Sequence, residues 1–414
     1  MTADRTFPPK PSPIPQRVRT SASQNALAKH RAIGYICTYI VIVSSSSSES
    51  QPMKEGSEKQ RVIGRGAQVS PGNRFERMVV EADLEQLAAD DAILADTRRV
   101  PTVFLPNETR RVITENDSPD IPFRFSINPY RGCEHGCVYC YARPGHETLG
   151  MNAGLDFETK ILVKHDAPQR LRDELAEPRW NVDTISISGV TDCYQPAERE
   201  FRITRGLLEV LFEARNPVGL ITKNALVTRD LDILSAMAKE NLVHVYLSIT
   251  TLDAELARKM EPRTSPPQGR LEALRELTAA GVPVGVMTAP IVPGLNDREI
   301  PNLLKAAHES GARSAGYVLL RLPLAVRPIF EDWILRTYPL QAERVLSLIR
   351  GTRDGNMSDA QWGRRMRGEG PYAETIAATF KTFCKKFGLD AGLPPLDYSR
   401  FRPPKTANGQ MHLF

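Results

Sequence analysis

Six short β-rich apolar runs recur along the middle of this 414-residue chain, and segments with helical periodicity separate them. Leu271, Leu274 and Leu277, for example, repeat at every third position, as one face of a helix does. Alternating strands and helices predict a parallel sheet with right-handed crossovers, and therefore an α/β fold. The six predicted strands are residues 123–128, 184–189, 218–222, 243–249, 284–289 and 315–320.

Six such units fit either an open doubly wound sheet or an incomplete barrel. Both architectures place their chemistry at the carboxyl ends of the strands. Each predicted strand is followed by polar or Gly/Pro-rich sequence, as a shared active-site face requires. The six segments are NPYRGCEHGCVYCYAR, SGVTDCYQP, TKN, SITT, APIVPGLND and RLP.

Three of the six cysteines lie together, directly after the first predicted strand. Cys133, Cys137 and Cys140 are separated by three and then two residues, and Gly132 and Gly136 allow the loop between them to turn tightly. Three thiols with no nearby fourth favour an iron–sulfur cluster that has one iron without a protein ligand. Clustered thiols in a cysteine-poor chain also indicate a reducing compartment, so we expect a cytoplasmic protein.

Zinc is the alternative metal for this cluster, and unligated thiols are the third interpretation. A structural zinc ion would require a fourth ligand to complete its tetrahedron. His135 lies inside the loop at a spacing unlike that of ordinary zinc sites, whereas His146 is easier to reach.

The cysteine motif, with Tyr139 before its last cysteine, resembles that of the radical S-adenosylmethionine (radical SAM) family. More narrowly, residues from about 61 to 400 are similar to the spore photoproduct lyase-like branch, the "DNA repair photolyase" relatives. The matching segments, in order, are NPYRGCEHGCVYCYAR, SGVTDCYQP, ITKN, SITTLD, MEPR, GVMTAPIVPGLND and AGYVLLRLP. The resemblance implies a partial (βα)6 barrel of the TIM type that holds a [4Fe–4S] cluster on Cys133, Cys137 and Cys140.

In that family the free iron chelates the amino and carboxylate groups of S-adenosylmethionine (SAM). A reductant such as flavodoxin or ferredoxin then drives cleavage of SAM to methionine and a 5′-deoxyadenosyl radical, which abstracts hydrogen from the substrate. We expect the substrate to be a nucleic acid or another macromolecule, with a small metabolite or peptide as the first alternative. A non-enzymatic zinc-binding protein is the second alternative.

The resemblance also implies roles for individual residues. Thr191 and Asp192 would meet the amino group of SAM, and Lys223 would pair with its carboxylate. The remaining expected contacts are Tyr139 at the adenine, Ser248 at the ribose and Arg263 facing the same site. Without the resemblance, Lys223 is as readily a surface cation and Ser248 a tolerated small strand residue.

One position departs from the spore photoproduct lyase pattern. There, a cysteine on the second strand returns hydrogen to the product radical, whereas the matching position here is Gly189. Cys193 follows four residues later in the same loop and is the candidate hydrogen donor, although we favour a partly buried, inert cysteine at this position.

The charge is unevenly distributed along the chain. The net charge is +5, yet residues 1–52 carry +4 and residues 340–414 carry +5, which leaves −4 between them. The overall charge therefore gives little support to nucleic-acid binding by the core. We predict a disordered, Pro- and Ser-rich extension at 1–52, a lead-in at 53–115, a radical SAM core at 116–335 and a helical basic region at 336–414. A transit peptide is an alternative for the extension, and we favour Met53 as the natural start.

The basic C-terminal region contains an amphipathic helix with Ile376, Phe380 and Phe383 in one apolar stripe. We expect this helix to cover the open edge of a six-stranded barrel, with Cys384 in the core. The alternative is a phosphate-contacting surface with Trp362 and Tyr372 as stacking platforms. Its cations would be Arg364, Arg365, Arg367, Lys385 and Lys386. No apolar run in the sequence reaches the roughly 18 residues of a membrane helix.

Overall fold

The computed structural model describes residues 61–75 and 99–405, which belong to one compact unit. The predicted extension at 1–52, the proposed start at Met53, Cys37, and part of the lead-in lie outside these residues. The strands are β1 (Val103–Pro106), β2 (Thr114–Glu115), β3 (Phe125–Ile127), β4 (Tyr130–Arg131), β5 (Lys160–Val163), β6 (Ile185–Ile187), β7 (Val218–Thr222), β8 (Val243–Ser248), β9 (Val284–Ile291) and β10 (Ser314–Leu319).

The main sheet has seven strands in the order β10-β9-β8-β7-β6-β3-β2. β3 and β6 to β10 are parallel, and β2 adds an antiparallel edge. These six parallel strands coincide with the six predicted apolar runs, so the α/β prediction is confirmed. Their order follows the chain without reversal, as in an incomplete barrel and unlike a doubly wound sheet.

The helices that follow the strands pack their apolar faces on the sheet. In the helix Ile203–Ala214, for instance, Leu207, Leu208 and Leu211 have no exposed surface. The helices are α1 (Leu155–Thr159), α2 (Ala167–Leu175), α3 (Glu198–Phe201), α4 (Ile203–Ala214), α5 (Leu231–Ala238), α6 (Ala254–Met260), α7 (Pro267–Ala279), α8 (Ile300–Glu309), α9 (Val326–Thr337), α10 (Pro339–Gly351) and α11 (Pro371–Lys386). None of the helices within 61–75 and 99–405 is long and apolar enough to span a membrane.

A second sheet of three short strands, in the order β1-β5-β4, combines β1, which precedes the main sheet in the chain, with β4 and β5, which are inserted between β3 and β6. Val103 of β1 lies opposite Lys160 of β5, and Tyr130 of β4 lies opposite Val163. The cysteine segment joins β4 to the rest of this insertion. The first crossover of the barrel is therefore a scaffold for the thiols.

The C-terminal segment covers the open edge of the main sheet at β10. The Ala315 N–H donates to the Leu389 carbonyl at 3.0 Å, and the Leu319 N–H donates to the Met366 carbonyl at 2.9 Å. Helix α11 buries Ile376, Phe380 and Cys384, while Phe383 is partly buried. The expected covering of the edge is thus present, with backbone hydrogen bonds as well as an apolar helix face.

Candidate active site at the carboxyl ends of the strands

The cysteine loop, residues 132–141, leaves β4 and turns back across the carboxyl ends of the parallel strands. Cys133 and Cys137 are buried, and Cys140 is partly buried. Gly132 and Gly136 have φ values of +81° and +68°, in the left-handed region that favours glycine. A Cβ on Gly136 would also lie 2.8 Å from Glu158 Oε2. The two glycines therefore serve the tight turns for which the sequence predicted them.

A buried ion pair supports this loop from below. Arg143 Nη2 lies 2.5 Å from Glu158 Oε1, and neither side chain is exposed. The same nitrogen donates to the Cys137 carbonyl at 2.8 Å. A buried pair holds its geometry only when its remaining donors and acceptors are also satisfied, and here backbone groups satisfy them. The pair thus fixes the backbone that carries the second thiol.

The N-terminal strap, residues 61–75, closes the far side of the loop. The N–H groups of Gly66 and Ala67 donate to the Glu158 carboxylate at 3.0 and 2.8 Å. Arg65 Nη1 donates to the Glu158 carbonyl at 2.7 Å. A Cβ on Gly66 would lie only 1.8 Å from the Gly136 carbonyl oxygen. Strap and loop are therefore in direct backbone contact, which the sequence did not predict.

The three thiols suit a cluster better than a closed zinc site. Within 61–75 and 99–405, no three His, Cys, Asp or Glu side chains converge closely enough to hold a single metal ion. His146, the easier fourth zinc ligand, instead places its Nε2 3.0 Å from the Lys160 carbonyl. Burial raises the pKa of all three loop thiols, so metal ligation is what would convert them to thiolates. This donor set fits three corners of an iron–sulfur cube.

Asp192, in the loop after β6, connects the cysteine loop to the strand ends. Its carboxylate accepts the Thr222 hydroxyl and the Lys223 N–H, both at 2.7 Å, and the Tyr194 N–H at 2.9 Å. His135 Nδ1 lies 3.4 Å away. Burial alone would raise the pKa of Asp192, but His135 and these donors outweigh it and lower the pKa to about 2. The carboxylate is therefore ionised and held rigidly.

Lys223 brings together three of the residues predicted to bind SAM. Its Nζ donates to Ser248 Oγ at 2.6 Å and to the Ala289 carbonyl at 3.2 Å. The same nitrogen lies 6.0 Å from the centroid of the Tyr139 ring. A cation, a hydroxyl and an aromatic face thus share one side of the cysteine loop, as an aminocarboxylate attached to a nucleoside would require.

Glu261 anchors the Tyr139 ring from behind, and sequence reasoning missed it. Its carboxylate accepts the Tyr139 hydroxyl, the Thr250 hydroxyl at 2.6 Å and the Arg270 guanidinium. Burial opposes ionisation, but Arg270 and Lys223 outweigh it and lower the pKa of Glu261 to about 2. One signal was readable, because Arg270 occupies the apolar stripe of α7 four residues before Leu274.

Two other predicted site residues, Thr191 and Arg263, are held in place by contacts with the protein itself. Thr191 Oγ1 donates to the Tyr130 carbonyl at 2.9 Å, and Arg263 Nη2 lies 3.2 Å from Glu134 Oε1 beside the cysteine loop. The SAM contacts expected of Thr191, Asp192 and Arg263 stay predictions. Cys193 has no exposed surface and lies in the main core. That burial favours the packing alternative, and its donor role also stays a prediction.

Gln195 is a further residue that sequence reasoning passed over. Its Oε1 accepts the Glu134 N–H at 2.9 Å, and its Nε2 donates to the Gly132 carbonyl at 3.2 Å. These two hydrogen bonds fix the backbone on either side of Cys133. An isolated glutamine in a loop offers no pattern that would have indicated this role.

Comparison with known proteins agrees with this arrangement. Residues 127–307 match the model of the radical SAM superfamily. The uncharacterized protein Rv2578c of Mycobacterium tuberculosis is 37% identical over 232 residues, which cover 56% of this chain and 68% of that protein. The uncharacterized protein MJ0683 of Methanocaldococcus jannaschii is 30% identical over 176 residues, 42% of this chain and 63% of that protein.

Among solved structures, the fold is similar to that of spore photoproduct lyase complexed with dinucleoside spore photoproduct. The TM-score is 0.51 and the identity 18%, over 69% of this chain and 79% of the other. At that identity the likeness concerns the fold. Together with the family model and the mycobacterial relative, it shows that the chain belongs to the radical SAM superfamily, whose cofactors are a [4Fe–4S] cluster and SAM.

Proposed function

We propose that this protein is a radical SAM enzyme that abstracts a hydrogen atom from a nucleic-acid substrate. The observation that carries the proposal is the set of three thiols on one loop, two buried and one partly buried, close to Lys223 and its hydrogen-bond partner Ser248. When bound and reduced by one electron, the cluster and SAM supply methionine and a 5′-deoxyadenosyl radical. A cofactor carries such chemistry, and the protein binds and orients it.

Residues of different charge would bind different parts of the cluster and of SAM. Cys133, Cys137 and Cys140 would hold three irons. Lys223 is the cation for the SAM carboxylate, and it lies beside the thiols rather than at the surface. Asp192, ionised at neutral pH, is with Thr191 the candidate partner of the amino group. The remaining assignments are Tyr139 at the adenine, Ser248 at the ribose and Arg263 at the rim.

The proposed substrate rests on one set of observations, and the proposed compartment and reductant rest on another. The similar spore photoproduct lyase structure is complexed with dinucleoside spore photoproduct, and Trp362 offers an exposed stacking surface in the C-terminal region of this chain. All five cysteines in the described parts of the chain are free thiols. We therefore place the enzyme in the reducing cytoplasm, with flavodoxin or ferredoxin as the reductant.

Anaerobic reconstitution with iron and sulfide tests the chemistry. Wild type should turn brown and form 5′-deoxyadenosine from SAM and dithionite, and Cys137→Ala should form none, because the cluster loses one of three ligands. Cys384→Ala is the matched control, since it removes a buried thiol from the core under α11. Turnover retained by Cys137→Ala, or a colourless wild type with zinc on four ligands, would contradict the proposal.

A further inference from the structure

Arg321 occupies the loop directly after β10, at the same end of the barrel as the cysteine loop. Its Cζ lies 5.0 Å from the centroid of the Tyr141 ring. Tyr141 directly follows Cys140, and its hydroxyl donates to the Gly189 carbonyl at the end of β6. The Arg321 guanidinium therefore contacts the residue next to Cys140, the third proposed cluster ligand.

Within the part of the chain that the structure describes, this guanidinium lacks the ion-pair partner that a partly buried cation normally has. It forms no ion pair and no side-chain hydrogen bond with any residue in 61–75 or 99–405. Asp120 acts on it electrostatically. That carboxylate, however, already accepts Arg365 Nε at 2.6 Å and the Gly363 N–H at 2.7 Å. Burial, together with the like charge of Arg365, lowers the pKa of Arg321 and outweighs the opposing effects of Tyr141 and Asp120.

The backbone on both sides of Arg321 is fixed. Buried Arg353 donates from Nη2 to the carbonyls of Leu319 and Leu320, at 3.0 and 2.8 Å. The Leu322 N–H donates to the Met357 carbonyl at 3.3 Å. The position of Arg321 is therefore set before any ligand arrives, which lowers the entropic cost of binding one.

Exposed apolar side chains lie on the neighbouring loops. Tyr141, Val190, Leu324 and Trp362 are each about half exposed. They belong to the loops after β4, β6 and β10 and to the C-terminal segment. Gly363, next to Trp362, is tied to Asp120. Aromatic surfaces beside an arginine that no described residue pairs with match the needs of a single-stranded nucleic acid, which presents flat bases and phosphates.

We propose that Arg321 binds a backbone phosphate of a single-stranded nucleic-acid substrate and is a specificity-determining residue of the active site. Its planar fork of N–H groups can donate to two phosphate oxygens at once, which a lysine ammonium cannot match. The inference rests on the proposed nucleic-acid substrate and adds the contact that selects it. It differs from the phosphate surface predicted by sequence. There, Arg364 and Arg365 pair with carboxylates, and Arg367 stacks on Tyr317.

Fluorescence anisotropy with a labelled single-stranded oligonucleotide of about 12 nucleotides tests this contact in the reconstituted full chain. Arg321→Ala should weaken binding about tenfold and reduce the salt dependence by about 0.7 in slope, the value of one phosphate contact on a single strand. The affinity of Arg321→Lys should lie between those of wild type and Arg321→Ala. Arg327→Ala is the matched control, because that exposed arginine pairs with Glu331 on α9. Thermal unfolding of each variant verifies that it is folded.

The outcomes separate this inference from the proposed function. Equal affinity and salt slope in wild type and Arg321→Ala would overturn the phosphate contact and leave the nucleic-acid proposal standing. If wild type binds thymidine monophosphate through Arg321 but no oligonucleotide, the substrate is a small phosphate ester and the nucleic-acid proposal fails. If neither probe binds, both fail.

Discussion

The two sides of the barrel mouth differ in how completely their polar groups are satisfied. On the cysteine-loop side, Arg143 and Glu158 are fully buried and paired with each other and with backbone groups. On the other side, beyond Tyr141 at the end of the same loop, the Arg321 guanidinium lies over an aromatic ring and has no ion-pair partner within 61–75 and 99–405, and Trp362 is exposed. The first side suits a cofactor whose geometry never changes, and the second suits a ligand that arrives and leaves.

The largest effect should follow from filling the contact between strap and loop. Gly66→Ala places a methyl group where the Gly136 carbonyl oxygen lies, so backbone must move. We expect a loss of about 4 kcal/mol in the free energy of unfolding and a lower iron content per chain. Gly72→Ala is the control, because a Cβ there has nothing within 4 Å. Chemical denaturation and iron analysis measure both, and equal behaviour of the two variants would contradict the role of the strap.

A smaller, pH-dependent effect should come from Glu261. Its folded pKa of about 2 lies below the ordinary value of 4.5, so ionisation stabilises the fold fully above pH 4.5. That contribution, about 3 kcal/mol, should decline as the pH falls from 4.5 towards 2. The gap in unfolding free energy between wild type and Glu261→Gln should therefore be constant from pH 5 to 7 and narrow in acid.

The control for this pH series is Glu255→Gln, whose carboxylate is exposed and pairs with Lys259 within one helix turn. Its effect should stay within a few tenths of a kcal/mol at every pH. A gap for Glu261→Gln that does not change with pH would show that its carboxylate is not held ionised by the fold.

The smallest effect on stability should be at the open side. Trp362→Ala removes an exposed ring, so the free energy of unfolding should change by less than about 0.5 kcal/mol. Oligonucleotide affinity should nevertheless fall several-fold, since stacking contributes about 1–3 kcal/mol per base. Chemical denaturation and fluorescence anisotropy, on one preparation of the variant, measure the changes in stability and in affinity. A large loss of stability would mean that Trp362 supports the fold, as the buried Arg143–Glu158 pair does, and would contradict the comparison.

The parallel strands were predictable because each is a short run dominated by apolar residues, even where a serine or histidine interrupts it. The cysteine loop was predictable because its ligands and turn glycines are adjacent in sequence. The three-stranded sheet was not, since Val103 of β1 pairs with Lys160 of β5, more than fifty residues later in the chain. Nor were the contacts of Arg65 and Arg321, because a lone arginine gives the same local signal whether it is buried, paired or free.

The backbone contacts of β10 with Met366 and Leu389 also bear on how the molecule is made. These carbonyls come late in the polypeptide, so on the ribosome the last parallel strand is complete well before its cover is synthesised. During that interval the nascent barrel presents an unpaired strand that other chains can join. Premature termination before Met366 would make the exposure permanent and turn a catalytic core into a seed for aggregation.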